Sequence, residues 1–209
     1  MSESTSEPKA EPFLGSEPHT SGLEANRNTS VGTDAKGPQA PKNLLDGIIK
    51  ALRPKQWVKN VLVIAAPAAA GTEMLTDSDV LLKVAIAFVV FCMASSSIYL
   101  INDAMDVEAD RQHPTKRFRP IASGMLPINL AYAMAAVLIA AALGLSLLAT
   151  DGTSLAWVIG IYIALQLGYC FGWKHVPVID IALVSSGFML RAMAGGVAAG
   201  IDLSQWFLL

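Results

Sequence analysis

Charge is what this sequence has little of. Only 15% of its 209 residues are Asp, Glu, Lys or Arg, against about 25% in a soluble domain. With 53% apolar residues and a mean hydropathy of +0.48, that shortage excludes an ordinary water-soluble globule and points to a membrane. Cysteine is scarce too. Cys92 and Cys170 both lie in apolar runs, where cysteine behaves as a small hydrophobe, so neither a disulfide nor a metal site is expected of them. His113 and His175 stand alone in loops, and spacing gives them no role. The chain lacks a basic start followed by an apolar run, which excludes a signal peptide, so the first membrane helix must carry the targeting signal. No internal repeat is visible.

What is present is strongly segregated. Residues 1–43 hold ten of the 32 charges and few large apolar side chains. They cannot bury a core and read as a disordered cytoplasmic tail. Residues 44–209 read as the N-terminal part of a transmembrane domain. Apolar stretches near the roughly 20 residues needed to span a bilayer predict helices at about 56–72, 81–101, 127–149, 153–172 and 177–199. Lys59 interrupts the first, and Pro67 and Gly71 can kink or end it. A sixth helix begins near Gln205, and the ending at Leu209 inside an apolar run suggests a truncated chain or a fragment. The fold expected is an all-α integral membrane protein. Lys50, Arg53, Lys55, Lys59, Arg111, Lys116, Arg117, Arg119 and Lys174 fall on one side of such a topology; Glu73, Asp77, Asp79, Asp151 and Asp202 fall on the other, with Lys83 as the lone cation. The positive-inside bias puts the first set in the cytoplasm.

The run Asn102-Asp103-Ala104-Met105-Asp106-Val107-Glu108-Ala109-Asp110 carries the chemistry. It follows directly on the apolar run Val84 to Ile101, and carboxylates at a membrane-helix mouth are costly unless a cation sits among them. Asn102, Asp106 and Asp110 have the i, i+4, i+8 spacing of one helix face, and Asp103, Asp106 and Asp110 form a second set. Mg²⁺ takes hard oxygen ligands, usually one or two carboxylates plus substrate phosphates. The plain alternative is a solvated acidic cap. Glu108 falls off the face and reads as solvated.

Lys116, Arg117 and Arg119 follow at loop distance, bracketed by Pro114 and Pro120, and Ala122-Ser123-Gly124 is expected to permit close backbone approach. Beside an acidic cluster, they suit a phosphate; by themselves they would serve only topology. Arg53 and Lys55 suit lipid head groups; Lys59, beside the first apolar run, is the preferred ligand of that group. Tyr99 sits one turn before Asn102, where its hydroxyl can meet a polar ligand or mark the membrane interface. Arg191 lies well inside the fifth span, and an intramembrane arginine is a functional hypothesis by default. Asp180 is three turns away, about 16 Å along a helix, too far for a direct pair. Lys174 is equally suited to topology and to ligation.

Asn102-Asp-x-x-Asp106-x-x-x-Asp110, followed by Arg117-Phe-Arg-Pro-Ile-Ala-Ser-Gly124, resembles the first aspartate-rich motif of the UbiA prenyltransferase superfamily. Leu52-Arg-Pro-Lys-Gln-Trp-Val-Lys-Asn60 and Tyr169-Cys-Phe-Gly-Trp-Lys-His175 are similar to a phosphoribose-transferring branch of it. The resemblance covers residues 44–209. It implies a UbiA-like helix bundle, of which about five spans and the start of a sixth are present. It implies transfer of 5-phosphoribose from phosphoribosyl diphosphate to a polyprenyl (decaprenyl) phosphate, with loss of diphosphate, toward a cell-wall arabinan. By the same resemblance, Asn102 and Asp106 would hold Mg²⁺, and Asp103 and Asp110 would be supporting catalytic carboxylates. Lys59, Tyr99 and Lys116 would bind phosphoribosyl diphosphate, and Lys174 and Arg191 the lipid phosphate. A lipid phosphate is already ionised, so no strong general base is needed. A nucleic-acid partner is not expected, and oligomerisation is left open. The superfamily's second polar motif would lie beyond Leu209. Two rivals stand: prenyl transfer from an allylic diphosphate to an aromatic acceptor, using the same Mg²⁺ motif, and a transporter or channel lined by Asp and Arg.

Overall fold

The apolar runs become helices whose surfaces are hydrophobic nearly all round, the pattern of a membrane span. The computed structural model describes residues 39–149, 152–172 and 177–201, and no strand occurs among them. The order is α1 (Leu44–Leu52), a 3-10 helix (Pro54–Ile64), α2 (Ala65–Ala70), α3 (Thr72–Thr76), α4 (Ser78–Met105), α5 (Val107–Gln112), a 3-10 turn (Lys116–Phe118), α6 (Ile128–Ala149), α7 (Ser154–Cys170) and α8 (Pro177–Ala198). Among the described residues, α4, α6 and the Ile181–Ala198 part of α8 are long and apolar enough to cross a membrane, while α7 is apolar but shorter. The molecule is a membrane-embedded helical bundle. The expected sixth helix near Gln205 and most of the expected tail, residues 1–38, lie outside the described residues.

The helix expected at 56–72 is not one α-helix. It runs as a 3-10 helix to Ile64, continues as six α-helical residues, and breaks at Gly71, whose φ is 118°. The reason is visible in the side chains. A 3-10 helix has three residues per turn, so every third side chain is eclipsed. Trp57, Asn60 and Val63 therefore share one inward face. Trp57 Nε1 donates to Ser96 Oγ of α4 at 3.0 Å, Asn60 is fully buried, and Val63 meets α8. A Cβ on Gly195 would overlap the Val63 carbonyl oxygen, so only glycine lets α8 approach that closely.

Two buried clusters hold the bundle. The larger joins α4, α6, α7 and α8, with Phe91 and Tyr162 packed edge to face at 5.1 Å between ring centroids. The smaller gathers Ala51, Leu100, Ala104, Val107, Ile121, Leu126, Ala131 and Ala135 at the other end of α4. It anchors α1 and the 119–126 loop against that end. Outward, Val137, Leu148, Val178 and Ile181 are exposed, as suits side chains that face lipid.

Candidate functional site: a mixed-charge pocket at the end of α4

The acidic segment does not form a single helix. α4 ends at Met105, Asp106 leaves helical geometry with φ −87° and ψ 8°, and α5 resumes at Val107. The break divides the motif into two pairs. Asn102 and Asp106 face a cavity of about 380 Å³. Asp103 and Asp110 are turned inward and are only 3% and 2% exposed.

The inward pair is held by two arginines. Arg53 Nη2 donates to both Asp103 carboxylate oxygens, at 2.6 and 2.7 Å. Arg119 Nη1 bridges the two carboxylates, 3.1 Å from Asp103 Oδ1 and 2.7 Å from Asp110 Oδ2. Charge-assisted bonds this short are the strong kind. Arg53 also lies over the Tyr99 ring at 4.6 Å, a cation–π contact. Its backbone is left-handed, with φ 53° and ψ 57°, a conformation that costs a non-glycine residue about 1–2 kcal/mol. The bonds to Asp103 and the stacking on Tyr99 offset that cost. Each arginine stands two residues from a buried anchor, Ala51 for Arg53 and Ile121 for Arg119.

Both arginines also line the cavity, together with Lys116. The wall therefore joins three cations to Asp106, with Tyr99, Gln166 and Tyr169 as further polar groups. Lys116 is presented by a turn shaped by His113, whose Nδ1 accepts from the Thr115 and Lys116 backbone N–H groups at 3.2 and 3.3 Å. Arg111 ties α5 to this loop by donating to the Ala122 carbonyl at 3.3 Å, and it pairs with the exposed Glu108. Gly124 has φ 78° and nothing within 4 Å of a Cβ built on it. The loop thus needs its left-handed freedom, not the close backbone approach expected from Ala122-Ser123-Gly124. A separate cavity of about 430 Å³ lies against Val61, Val84 and Phe88; its apolar wall has nothing to bind phosphate.

Of the residues singled out in sequence, Tyr99, Asn102, Asp106 and Lys116 meet in one cavity. Asp103 and Asp110 stand behind its wall. Lys59 does not join them: it is exposed in an outer groove beside Val58 and Leu62, and Arg53 takes the place at the acidic motif. Lys174 lies outside the described residues. Arg191 is 8% exposed, deeper in the bundle, where Nε donates to Asn60 Oδ1 at 2.7 Å, Nη1 to the Gly187 carbonyl at 2.6 Å and Nη2 to the Tyr162 hydroxyl at 3.2 Å. Arg53, Asn60 and Gln166 belong to this region although no sequence pattern singles them out, and Arg119 is in sequence only one of three loop cations. Arg119 is set apart only by its reach to Asp103 and Asp110, which no local pattern encodes.

The cavity suits a hard divalent cation that arrives with phosphate. Among the described residues no group of three or more His, Cys, Asp or Glu side chains could hold a metal alone. Asn102 and Asp106 offer two protein oxygens, and the cations opposite suit phosphate oxygens that would complete the shell.

Known proteins are similar to this chain in sequence and in fold. The profile of the UbiA prenyltransferase family matches residues 61–209. The decaprenyl-phosphate phosphoribosyltransferase of Corynebacterium glutamicum is 70% identical over 197 residues, which is 94% of this chain and 57% of that protein. The protein of that name from Mycolicibacterium smegmatis is 58% identical over 90% of this chain and 58% of its own length. The one from Mycobacterium tuberculosis is 56% identical over 82% and 57%. The chain thus spans a little over half the length of these relatives. A solved structure described as digeranylgeranylglyceryl phosphate synthase superposes with a TM-score of 0.62 at 22% identity, over 74% of this chain and 53% of that one, which concerns the fold. The chain belongs to the UbiA prenyltransferase family.

Proposed function

We propose that this chain takes part in transfer of 5-phosphoribose from phosphoribosyl diphosphate to a polyprenyl phosphate such as decaprenyl phosphate. The observation that carries the reading is the 70% identity to a protein named for that activity. The cavity wall, with Asn102 and Asp106 facing Arg53, Lys116 and Arg119, supports it. A phosphate oxygen of the lipid attacks C1 of the ribose, the bond from C1 to the diphosphate oxygen breaks, and diphosphate leaves with the electron pair. The lipid phosphate enters as an anion, so no protein base has to remove a proton.

Asn102 and Asp106 would hold Mg²⁺, which when bound neutralises diphosphate charge. Lys116, Arg53 and Arg119 bind donor phosphates where negative charge grows on the leaving group, and Tyr99 and Gln166 orient the ribose. Asp103 and Asp110 act as positioning residues, because they set the arginines and face away from the reactants. Arg191 and Lys174 serve the lipid phosphate. The acidic end of α4 faces the cytoplasm of a plasma membrane, on the side of the basic residues. Membranes containing the full chain, given labelled phosphoribosyl diphosphate and decaprenyl phosphate, are expected to move label into the lipid fraction. Incorporation from a prenyl diphosphate alone would refute the assignment.

A further inference from the structure

Arg191 is a buried cation whose described partners are all neutral. Its guanidinium bonds to an amide oxygen, a backbone carbonyl and a hydroxyl. The rings of Tyr162, Phe91 and Phe188 stand 5.2, 5.7 and 5.9 Å from its central carbon. None of the ion pairs among the described residues includes it, whereas Arg53 and Arg119 both meet carboxylates. An arginine at this depth is costly and is usually paired.

Asn60 is the residue that leaves it so. It is fully buried and comes from the 3-10 helix, 131 positions away in sequence. Its Oδ1 accepts from Arg191, and its Nδ2 donates to Cys92 Sγ at 3.3 Å and to Ser95 Oγ at 3.4 Å. The Ser95 hydroxyl spends its own proton on the Cys92 carbonyl, so its oxygen is left to accept. The position therefore asks for an acceptor toward Arg191 and a donor toward α4. An amide supplies both, and an ionised carboxylate supplies only the first.

The cation also adjoins the cavity wall. A Cβ built on Gly187 would stand 3.1 Å from Arg191 Nη1 and 3.4 Å from Gln166 Nε2, and Gln166 lines the cavity of Asn102 and Asp106. We propose that Asn60 is a positioning residue that fixes Arg191 without neutralising it, so that a positive charge inside the membrane is kept for the phosphate of an anionic lipid. This rests on the assignment of a polyprenyl phosphate acceptor.

Asn60→Asp in the full chain tests it, because the change keeps size and supplies the missing negative charge. The variant is expected to raise KM for decaprenyl phosphate about tenfold or more while KM for phosphoribosyl diphosphate stays within about twofold. Its thermal midpoint should stay near that of the unaltered chain, the ion pair gained at Arg191 offsetting the donor lost toward α4. An unchanged lipid KM overturns the proposal. Should Asn60→Asp fail to accumulate, Arg191→Gln takes its place, with the same lipid-side loss expected and the same overturning result. Stabilisation of the purified chain by decaprenyl phosphate is read in parallel, since a ligand of the folded state raises the midpoint by mass action. Stabilisation that is lost in Asn60→Asp supports the proposal even if no label is transferred, an outcome that sinks the transfer assignment alone. Equal stabilisation of variant and parent overturns the proposal.

Discussion

Asp103 receives Arg53 from 50 positions before it and Arg119 from 16 after it. It is the hub at which the segment preceding the first membrane stretch, the end of α4 and the following loop are tied together. Asp103→Asn should therefore damage both arginines. Breaking a fully buried pair costs about 3–5 kcal/mol; here the arginine side chains are about a quarter exposed, which lowers the expectation to about 2 kcal/mol. A fall in thermal midpoint with a raised KM for phosphoribosyl diphosphate is the expected result, while full stability with unchanged kinetics would count against the hub. Asp106→Asn should lower transfer by about a hundredfold. Farther out, Asn43 caps α1 by accepting from the Asp46 N–H, and Lys50 bonds to the Asp46 carboxylate. The Lys50 ammonium is the main reason that Asp46 titrates below its ordinary value. A lowered folded pKa gives stability that is present above the unfolded value and is lost as pH falls through the folded one. Any contribution from this exposed pair should thus vanish in acid and shrink in salt, which melting curves at two ionic strengths would check. At this scale, spacing put Tyr99, Asn102 and Asp106 at one helix end, and only the family resemblance singled out Lys116 among the three loop cations. It could not tell which carboxylates face the cavity, because the helix break at Asp106 and two distant arginines decide that.

Elements show a similar division. The apolar runs at 127–149 and 177–199 became α6 (Ile128–Ala149) and α8 (Pro177–Ala198) almost residue for residue, since a continuous apolar run leaves a membrane helix little choice. The first run behaved differently. Its hydropathy matches a span, yet its period of three follows from three separate contacts, at Ser96, at Asn60 with its buried partners, and at Gly195. α1 is too short to announce itself by hydropathy, and the helical spacing of 102–110 reaches into α5 (Val107–Gln112) without showing the break at Asp106. The closeness of the Val63 carbonyl to Gly195 makes a sharp prediction. Gly195→Ala forces a Cβ into a backbone oxygen and should cost about 3 kcal/mol or more, since overpacking without room to shift is at the upper end of such penalties. A large drop in thermal midpoint is expected, with Arg191 losing its place opposite Asn60; a tolerated alanine would show that the 3-10 helix and α8 are not held at this distance.

Across the whole molecule, the described bundle combines an apolar exterior with a mixed-charge pocket at the C-terminal end of α4, and a buried cation at Arg191. Such a layout suits a reaction between a water-soluble, phosphate-rich donor and an acceptor dissolved in lipid. In the proposed reaction the donor would meet Asn102, Asp106, Lys116 and the two arginines at the membrane boundary, while the acceptor would keep its tail in the bilayer. The test that bears most directly on this account is transfer of label from phosphoribosyl diphosphate to decaprenyl phosphate in membranes, comparing the unaltered full chain with Asp106→Asn at equal protein. The account predicts Mg²⁺-dependent labelling of the lipid fraction by the unaltered chain and about a hundredfold less by the variant. Labelling that is equal in the two would contradict it.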